Sequence, residues 1–250
     1  MTQRFRSVFL AALCLFAASA AAQPACDVVA SITSYEGQVS IKPARGVLKR
    51  SPGQAPSPLC AGDEVHTFAG RALIANGRFS VAVDRDSVAL FKGAGLAGLA
   101  KGQALYEVQK RRAGQSVHVA TRLSVIGVKG TRFLVRDQAE GVSVVLDQGV
   151  VDVRSTQGPL GLYREKAAAR AQENDFEAYK RQAQEGVERE KAAFEAYKAQ
   201  TEREFVAYVE NMTLQAGREL AISGHIAVER AIAGESARQL EDLRVWLDLH

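Results

Sequence analysis

Two short apolar runs lie before and after Gly130 in the stretch Val125-Ile126-Gly127-Val128-Lys129-Gly130-Thr131-Arg132-Phe133-Leu134-Val135. Runs of four or five residues rich in Val and Ile predict β-strands. Successive side chains of a strand point to opposite faces, so Phe133 lies on the face opposite to Arg132 and Leu134. Gly130 stands where a tight turn or a close backbone approach is expected. The stretch therefore predicts two consecutive short strands.

The same pattern extends in both directions over residues 26–155. The other strand-like segments are Ile32–Tyr35, Val39–Ile41, Leu73–Ala75, Phe79–Val83, Ser87–Phe91, Ala104–Val108, Val117–Val119, Val142–Leu146 and Val150–Val153. Short strands spaced by about ten residues predict an all-β N-terminal domain with antiparallel or solenoid-like strands. The spacing leaves a sandwich, a barrel and a solenoid open. Asp84-Arg85-Asp86, between two such segments, predicts a hairpin turn.

Composition changes after a turn-rich linker at residues 156–163. Residues 164–250 are dense in Ala, Glu, Lys and Arg, which favours helix, and predict an α-helical arm with helices over about 164–215 and 225–249. Aromatic residues recur at intervals close to whole helical turns and predict one interface stripe: Phe176, Tyr179, Phe194, Tyr197, Phe205 and Tyr208. This stripe is expected to pack against the second helix, against a second copy of the chain as a coiled coil, or against a partner protein.

Residues 1–22 are typical of a secretory signal peptide. Arg4 and Arg6 precede an apolar run of about 11 residues, and Ala20-Ala21-Ala22 forms a small-residue cleavage site. The run is too short for a transmembrane helix, and no later stretch is long and apolar enough to be one. We therefore expect a periplasmic protein without an integral membrane segment after signal cleavage.

Cleavage of the signal would leave two cysteines, Cys26 and Cys60. An even pair in an oxidising compartment predicts a disulfide. The four histidines show no spacing typical of a metal site, so neither a metal nor another cofactor is expected.

Charge and composition exclude several function classes. The 250 residues are 47% hydrophobic and 24% charged, which is ordinary for a globular protein. Residues 27–155 carry 17 Lys and Arg against 11 Asp and Glu, whereas residues 156–250 carry 13 against 17. Neither part has the dense basic stripe of a nucleic-acid-binding protein. The cluster Lys110, Arg111 and Arg112 is expected in a loop, either solvated or in contact with an anionic envelope component.

Four segments of the β region, in order, resemble the FecR domain. They are Glu36-Gly37-Gln38-Val39, the stretch from Leu59 to Ile74, the stretch from Val125 to Val135, and Leu146–Val153. The motif residues within them are Gly37, Gly62, Asp63, Arg71, Gly130, Thr131, Phe133 and Gly149. The resemblance covers roughly Ser31 to Arg154.

The resemblance implies a structural role for these motif residues, because they include no acid–base pair and no nucleophile beside a base. FecR regulators of iron-siderophore signalling carry a cytoplasmic anti-sigma segment and a membrane span before this domain, and here a predicted signal peptide stands there instead. The sequence is therefore closer to stand-alone secreted FecR-domain proteins. It predicts a non-enzymatic exported protein that binds or scaffolds an envelope partner. A carbohydrate- or cell-wall-binding module is the alternative, and a hydrolase is a third hypothesis motivated only by export.

Overall fold

In the part of the chain that the structure describes, two facing β-sheets and one helix form the fold. The structure, a computed structural model, describes residues 26–109, 116–165 and 203–249. The described strands are β1 Val28–Glu36, β2 Val39–Lys42, β3 Ser57–Cys60, β4 Asp63–Thr67, β5 Arg71–Ala75, β6 Phe79–Val83, β7 Ser87–Gly93, β8 Leu96–Val108, β9 Val117–Ala120, β10 Ser124–Val128, β11 Arg132–Gln138, β12 Gly141–Gln148, β13 Val150–Ser155, β14 Leu160–Glu165, β15 Arg203–Val209, β16 Asn211–Gln215, β17 Arg218–Ser223 and β18 Ile226–Ala231. The helix α1 is Gly234–Leu249.

The first sheet, here called the helix-covered sheet, has the strand order β3-β1-β5-β6-β8-β11-β12-β17-β18-β14-β15. The second sheet has the order β2-β4-β7-β8-β9-β10-β13-β16. All pairings between described strands are antiparallel except β8–β9 and β14–β18. The prediction of an all-β architecture followed by a C-terminal helix is confirmed, and the arrangement of the two sheets is a sandwich.

Strand β8 belongs to both sheets. Its first part pairs with β7 in the second sheet, and its last part pairs with β6 and β11 in the helix-covered sheet. Between them Gly102 has a φ of 87°, and a Cβ there would collide with Ser87. Only glycine adopts such a backbone conformation at no steric cost. Gly102 therefore lets the chain bend from one sheet into the other.

The main core lies between the two sheets. Because alternate residues of each strand face inward, Ile32, Phe79, Phe91, Ile126 and Phe133 are completely or almost completely buried there. A smaller apolar cluster lies on the outer face of the helix-covered sheet, under α1. The molecule thus has three layers: helix, sheet and sheet.

The turn Asp84-Arg85-Asp86 corrects one expectation. It was predicted to be a hairpin turn, but β6 and β7, which it joins, lie in different sheets and do not pair with each other. The segment crosses from the helix-covered sheet to the second sheet, and Asp86 has a φ of 52°. A local turn signal does not reveal which strand becomes the hydrogen-bonding partner.

The bounds predicted for the helical arm differ from those in the structure. The C-terminal helix begins at Gly234 and not near residue 225, and residues 203–231 contain four strands. A single helix from residue 164 to about 215 is excluded, because β15 and β16 are strands and Glu165 pairs directly with Arg203. Strands β16 and β17 add to the two sheets beside β13 and β12, so the β architecture continues beyond the predicted boundary at residue 155.

The reason for this error is local composition. The helix-favouring composition before position 203 leads the sequence to predict a helix that continues past this position. The segments that follow instead alternate as strands and turn at Gly217 and Gly224, both of which have positive φ. Pairing with β12 and β13 satisfies the backbone hydrogen bonds of these segments, and this tertiary gain overrides their weak helix propensity. Phe205 and Tyr208 of the predicted stripe lie in the strand β15 and not in a helix. Phe176, Tyr179, Phe194 and Tyr197 lie outside the described residues, as does the predicted signal peptide at residues 1–22.

Candidate interaction surfaces

The outer face of the helix-covered sheet carries a continuous apolar row. One residue from each of five neighbouring strands contributes, in direct register: Leu73, Ala82, Leu105, Leu134 and Val145. Helix α1 covers this row with Leu240, Leu243, Trp246 and Leu247. The face is therefore occupied by the chain's own C-terminus.

A row of polar residues borders the apolar row on one side. Arg71 Nε donates to Asp84 Oδ1 at 2.7 Å, and the other Asp84 oxygen accepts a hydrogen bond from Gln103. The same guanidinium reaches Asp242 on α1. Burial would lower the pKa of Arg71, but its hydrogen bonds with Asp242 and Asp84 outweigh burial and raise that pKa. Arg71 therefore stays charged and ties the helix to the sheet.

A second ionic group lies further along the same face. Glu219 is almost fully buried, and its oxygens accept hydrogen bonds from Arg136 at 2.5 Å and Arg230 at 3.2 Å. Ser236, near the start of α1, donates to Glu219 at 2.9 Å, and Arg136 also contacts Gln239 at 2.8 Å. The carboxylate is fully partnered, which a buried charge requires.

The local sequence gives no signal for these ion pairs. Arg71 and Asp242 are 171 residues apart, and Arg136 and Glu219 are 83 apart. Of these four residues, only Arg71 is among the motif residues named from the FecR resemblance. The partners follow from strand register, which places residues of distant segments side by side.

The motif residues named from the resemblance make close backbone contacts. Gly37 has a φ of 64°, and a Cβ there would lie 2.5 Å from the Ala69 carbonyl oxygen. Gly149 has a φ of 88°, and a Cβ there would lie 2.5 Å from the Thr131 Cγ2. Such conformations and spaces accept only glycine.

The other motif residues form turns and core contacts. Gly62 and Gly130 have φ values of 90° and 72°. Asp63 is buried and accepts hydrogen bonds from the amides of Cys60 at 3.0 Å and Ala44 at 3.1 Å. Phe133 stacks on Tyr106 with ring centroids 5.3 Å apart. Burial raises the pKa of the Tyr106 hydroxyl.

The disulfide between Cys26 and Cys60 is confirmed, with Cα atoms 5.7 Å apart. It lies at one end of the sandwich, together with the loop at residues 43–49 and the turns at 76–78, 94–95 and 129–131. Asn76 Nδ2, which donates to the Ala94 carbonyl at 3.2 Å, links the two sheets at this end. We call this end of the sandwich, with its disulfide, loop and turns, the basic end.

Cations gather at the basic end. Among the described residues, none of the following has a carboxylate partner within 4.0 Å: Arg45, Arg50, Arg78, Lys92 and Lys129. Most nearby carboxylates are engaged: Asp63 binds backbone amides, and Glu107 pairs with Arg132 at 2.8 Å. Asp27 and Asp147 remain without a described ion pair. The end therefore presents a surplus of positive charge.

Glu64 is the most strongly partnered carboxylate here. Lys42 Nζ lies 3.0 Å from one of its oxygens, and His66 Nε2 lies 2.9 Å from the other. Burial would raise the pKa of Glu64, but the hydrogen bonds from Lys42 and His66, assisted by their charges, lower it.

The described residues that flank two sequence-predicted features lie at the basic end. Lys110, Arg111 and Arg112 lie outside the described residues, but Gln109 before them donates to the Arg78 carbonyl and His118 after them donates to the Gly95 carbonyl. Residues 166–202 are also outside, yet the flanking residues Glu165 and Arg203 pair at the end of β14 and the start of β15. These strands place both flanks at the basic end.

The opposite end has an open groove of about 750 Å³ with charges of both signs. Its lining residues include Arg85, Asp86, Lys101, Arg122 and Asp137. Asp137 is buried and receives hydrogen bonds from the backbone and side chain of Arg122 at 3.0 and 2.7 Å. Mixed and internally paired charge gives this groove no net preference for an anion.

Within the described ranges, no serine hydroxyl is hydrogen-bonded to a histidine, and no three His, Cys, Asp or Glu side chains cluster as a metal site. None of the described helices is long and apolar enough to cross a bilayer.

Comparison with known proteins gives a family match for part of the β region. The profile of the FecR protein family matches residues 80–152, which confirms the resemblance for that part of the chain. No curated protein matches significantly. Two crystal structures of a "putative anti-sigma factor" from Parabacteroides distasonis are similar at 12% identity each, with TM-scores of 0.45 and 0.41. The matches cover 74% and 66% of this chain but only 64% and 57% of theirs.

Proposed function

Starting from the FecR match over residues 80–152, we propose that the protein is a non-enzymatic, exported component of a bacterial envelope that binds an anionic envelope component. The Cys26–Cys60 disulfide supports an oxidising compartment such as the periplasm, in agreement with the signal-peptide pattern. The proposed role is binding or scaffolding, performed by the FecR-like β-sandwich.

The observation that carries this proposal is the surplus of unpaired cations at the basic end. Arg and Lys side chains without a carboxylate partner attract anions. Several of them close together raise the local concentration of an anionic ligand. On the helix-covered sheet, by contrast, Arg71, Arg132 and Arg136 are neutralised by carboxylates and held under α1. The cations of the basic end are free to meet an outside partner.

Charge reversal at the basic end tests the proposal. The variant Arg78→Glu/Lys92→Glu/Lys129→Glu should bind sedimented envelope fractions, both wall polymer and phospholipid vesicles, at least tenfold more weakly than the wild type at low salt. The matched control is Arg85→Glu/Lys101→Glu at the opposite end, which should bind like the wild type. Equal binding of both variants and the wild type to every fraction would refute the proposal.

The segment at residues 166–202 is proposed as a second contact. The described residues that flank it, Glu165 and Arg203, lie at the basic end, where the partner is proposed to bind. Its aromatic residues Phe176, Tyr179, Phe194 and Tyr197 are proposed to mediate self-association or docking of an envelope protein. Light scattering should give a smaller mass for Phe176→Glu/Phe194→Glu than for the wild type; a strictly monomeric wild type without any arm-dependent partner would contradict this.

A cell-wall-binding module is the second candidate function. The same cationic surplus would suit an anionic wall polymer. Sedimentation with purified peptidoglycan distinguishes it: retention on peptidoglycan, but not on phospholipid vesicles, would favour this alternative.

A further inference from the structure

The loop at residues 43–49, here called the tip loop, projects from the basic end on a fixed base. Ile41 and Arg50 exchange two backbone hydrogen bonds of 2.7 and 2.8 Å and close the loop. Inside it, the Gly46 amide donates to the Pro43 carbonyl at 3.1 Å, and the Ala44 amide donates to Asp63 at 3.1 Å. The tip is therefore held out from the sandwich by hydrogen bonds at its root.

The two apolar residues at this tip are the most exposed large hydrophobic residues of the described chain. Val47 is 95% exposed and Leu48 is 84% exposed. Single exposed apolar side chains are ordinary on a protein surface. Two consecutive ones that contact almost nothing in their own protein need a different explanation, because burying them would be favourable.

The chain on either side of the apolar pair is basic. Arg45, Lys49 and Arg50 flank the apolar pair, and the sequence has no acidic residue from position 43 to position 62. Lys49 is oriented by His66 Nδ1 at 3.4 Å and lies over the Phe68 ring at 5.1 Å. Cations thus surround an apolar point at the end where Lys92 and Lys129 also lack carboxylate partners.

We propose that the tip loop inserts Val47 and Leu48 into the surface of an anionic phospholipid bilayer. The apolar pair would enter the boundary between headgroups and acyl chains, while the surrounding cations contact the lipid phosphates. This inference rests on the proposed function and names its partner.

A bilayer fits this shape better than a protein does. A specific protein partner ordinarily covers some twenty to thirty residues on each side, with an apolar centre. Here the apolar area is two side chains at a projecting point, surrounded by charge. Such a point matches a soft, negatively charged interface that takes up apolar side chains without a preformed pocket.

Vesicle sedimentation of the full mature chain tests the inference. The wild type should sediment with vesicles of phosphatidylcholine containing about one third phosphatidylglycerol, and not with phosphatidylcholine alone. Val47→Ser/Leu48→Ser should lower the partition coefficient at least tenfold. The matched control is Val245→Ser/Leu249→Ser, an exposed Val and Leu pair on α1 (46% and 74% exposed), which should bind like the wild type.

A second measurement reports insertion directly. The variant Leu48→Trp should show a blue-shifted emission with anionic vesicles and quenching by lipids brominated on the acyl chains. The buried Trp246 serves as the unchanged background. Adding 0.5 M salt should weaken the binding of all variants, because the cations contribute electrostatically.

The outcomes separate this inference from the proposed function. If Val47→Ser/Leu48→Ser binds anionic vesicles like the wild type, or if the Leu48→Trp emission does not change, the insertion is refuted. Binding to peptidoglycan but not to vesicles also refutes the insertion and favours the cell-wall-binding module. Binding to a protein but not to vesicles refutes the insertion and leaves the binding or scaffolding role standing. Failure of the charge-reversal triple variant to weaken binding to any fraction refutes the proposed function itself.

Discussion

Arg71 is a charged residue placed in the row beside an otherwise apolar surface. Its guanidinium is buried between Asp84 on the neighbouring strand and Asp242 on α1, so three segments depend on one side chain. A buried ion pair contributes little net stability compared with apolar residues, but removal of one partner leaves the other buried without compensation. Arg71 is therefore more important for the position of α1 than for the total stability of the sheet.

Arg71→Ala should lower the free energy of unfolding by about 3–5 kcal/mol, because Asp84 would remain buried without its cation. Arg85→Ala is the control: this arginine is mostly exposed and lies 4.0 Å from Glu36, so its loss should cost less than about 1 kcal/mol. Urea denaturation of both variants gives the comparison. Equal stability losses would show that the Arg71 ion pairs do not hold the helix.

Glu64 predicts a pH dependence at the basic end. Its pKa is lowered in the folded state, so it stabilises the fold fully above its ordinary pKa near 4.5, and this contribution disappears as the pH falls through the lowered value. Glu64→Gln should therefore be less stable than the wild type at pH 7, by no more than about 1 kcal/mol for a partly exposed pair. The difference should shrink toward pH 3 in urea titrations. A difference that grows on acidification would contradict the assigned ion pair.

At the scale of elements, α1 acts as a cover for the helix-covered sheet. The apolar row of five strands would otherwise be exposed, and strands of this kind are prone to association. The helix contributes its buried residues at helical spacing and adds polar contacts on either side: Asp242 to Arg71, and Ser236 to Glu219. The sheet and the helix are complementary because the register of the strands lines up the residues that the helix contacts.

Leu243→Ala should destabilise the protein by about 2–5 kcal/mol, since Leu243 is completely buried under this cover. Val245→Ala, two residues along on the exposed side, should change the stability by less than about 1 kcal/mol. Thermal unfolding followed by circular dichroism measures both. If the two variants melt alike, α1 does not pack on the sheet as described.

On the scale of the whole molecule, one end of the sandwich collects most of the features with consequences outside the fold. The disulfide, the tip loop and the unpaired cations lie there, as do Glu165 and Arg203, the described residues that flank segment 166–202. The opposite end has charges of both signs and an open groove. The two ends of the molecule therefore differ in charge, and the basic end is the one proposed to bind the partner.

The disulfide should stabilise the whole sandwich by joining the start of β1 to β3. A crosslink with a sequence separation of 34 residues contributes roughly 4 kcal/mol in the chain-entropy treatment. Cys60→Ser should lower the melting temperature under oxidising conditions and match the reduced wild type under reducing ones. Titration of two reactive thiols in the mature exported protein would contradict the pairing.

Segment 166–202 should be dispensable for the fold. Because Glu165 and Arg203 are paired neighbours, an Asn-Gly turn can replace the segment and join β14 directly to β15. The shortened chain should unfold in one cooperative transition within a few degrees of the full chain and lose any arm-dependent association. Loss of the cooperative transition would show that the segment belongs to the core.

The sequence by itself determined the local features of this protein. Alternation identified the strands before residue 155 and placed Phe133 on the face opposite to Arg132 and Leu134, because side-chain direction in a strand depends only on position along it. The turn glycines Gly37 and Gly149 were named from the resemblance, because a glycine motif is also a local feature of the sequence. Two cysteines could form only one disulfide.

Only the tertiary structure decided which strands pair and where the helical arm begins. The strands between residues 203 and 231 have compositions compatible with helix, and pairing with β12, β13 and β14, roughly forty to eighty residues earlier, makes them strands. The ion pair between Arg71 and Asp242 likewise exists only after the sheet and α1 have formed. Periodicity is a property of neighbouring residues, whereas register is set by contacts between segments far apart in the chain, and the cationic surplus of the basic end follows from that register.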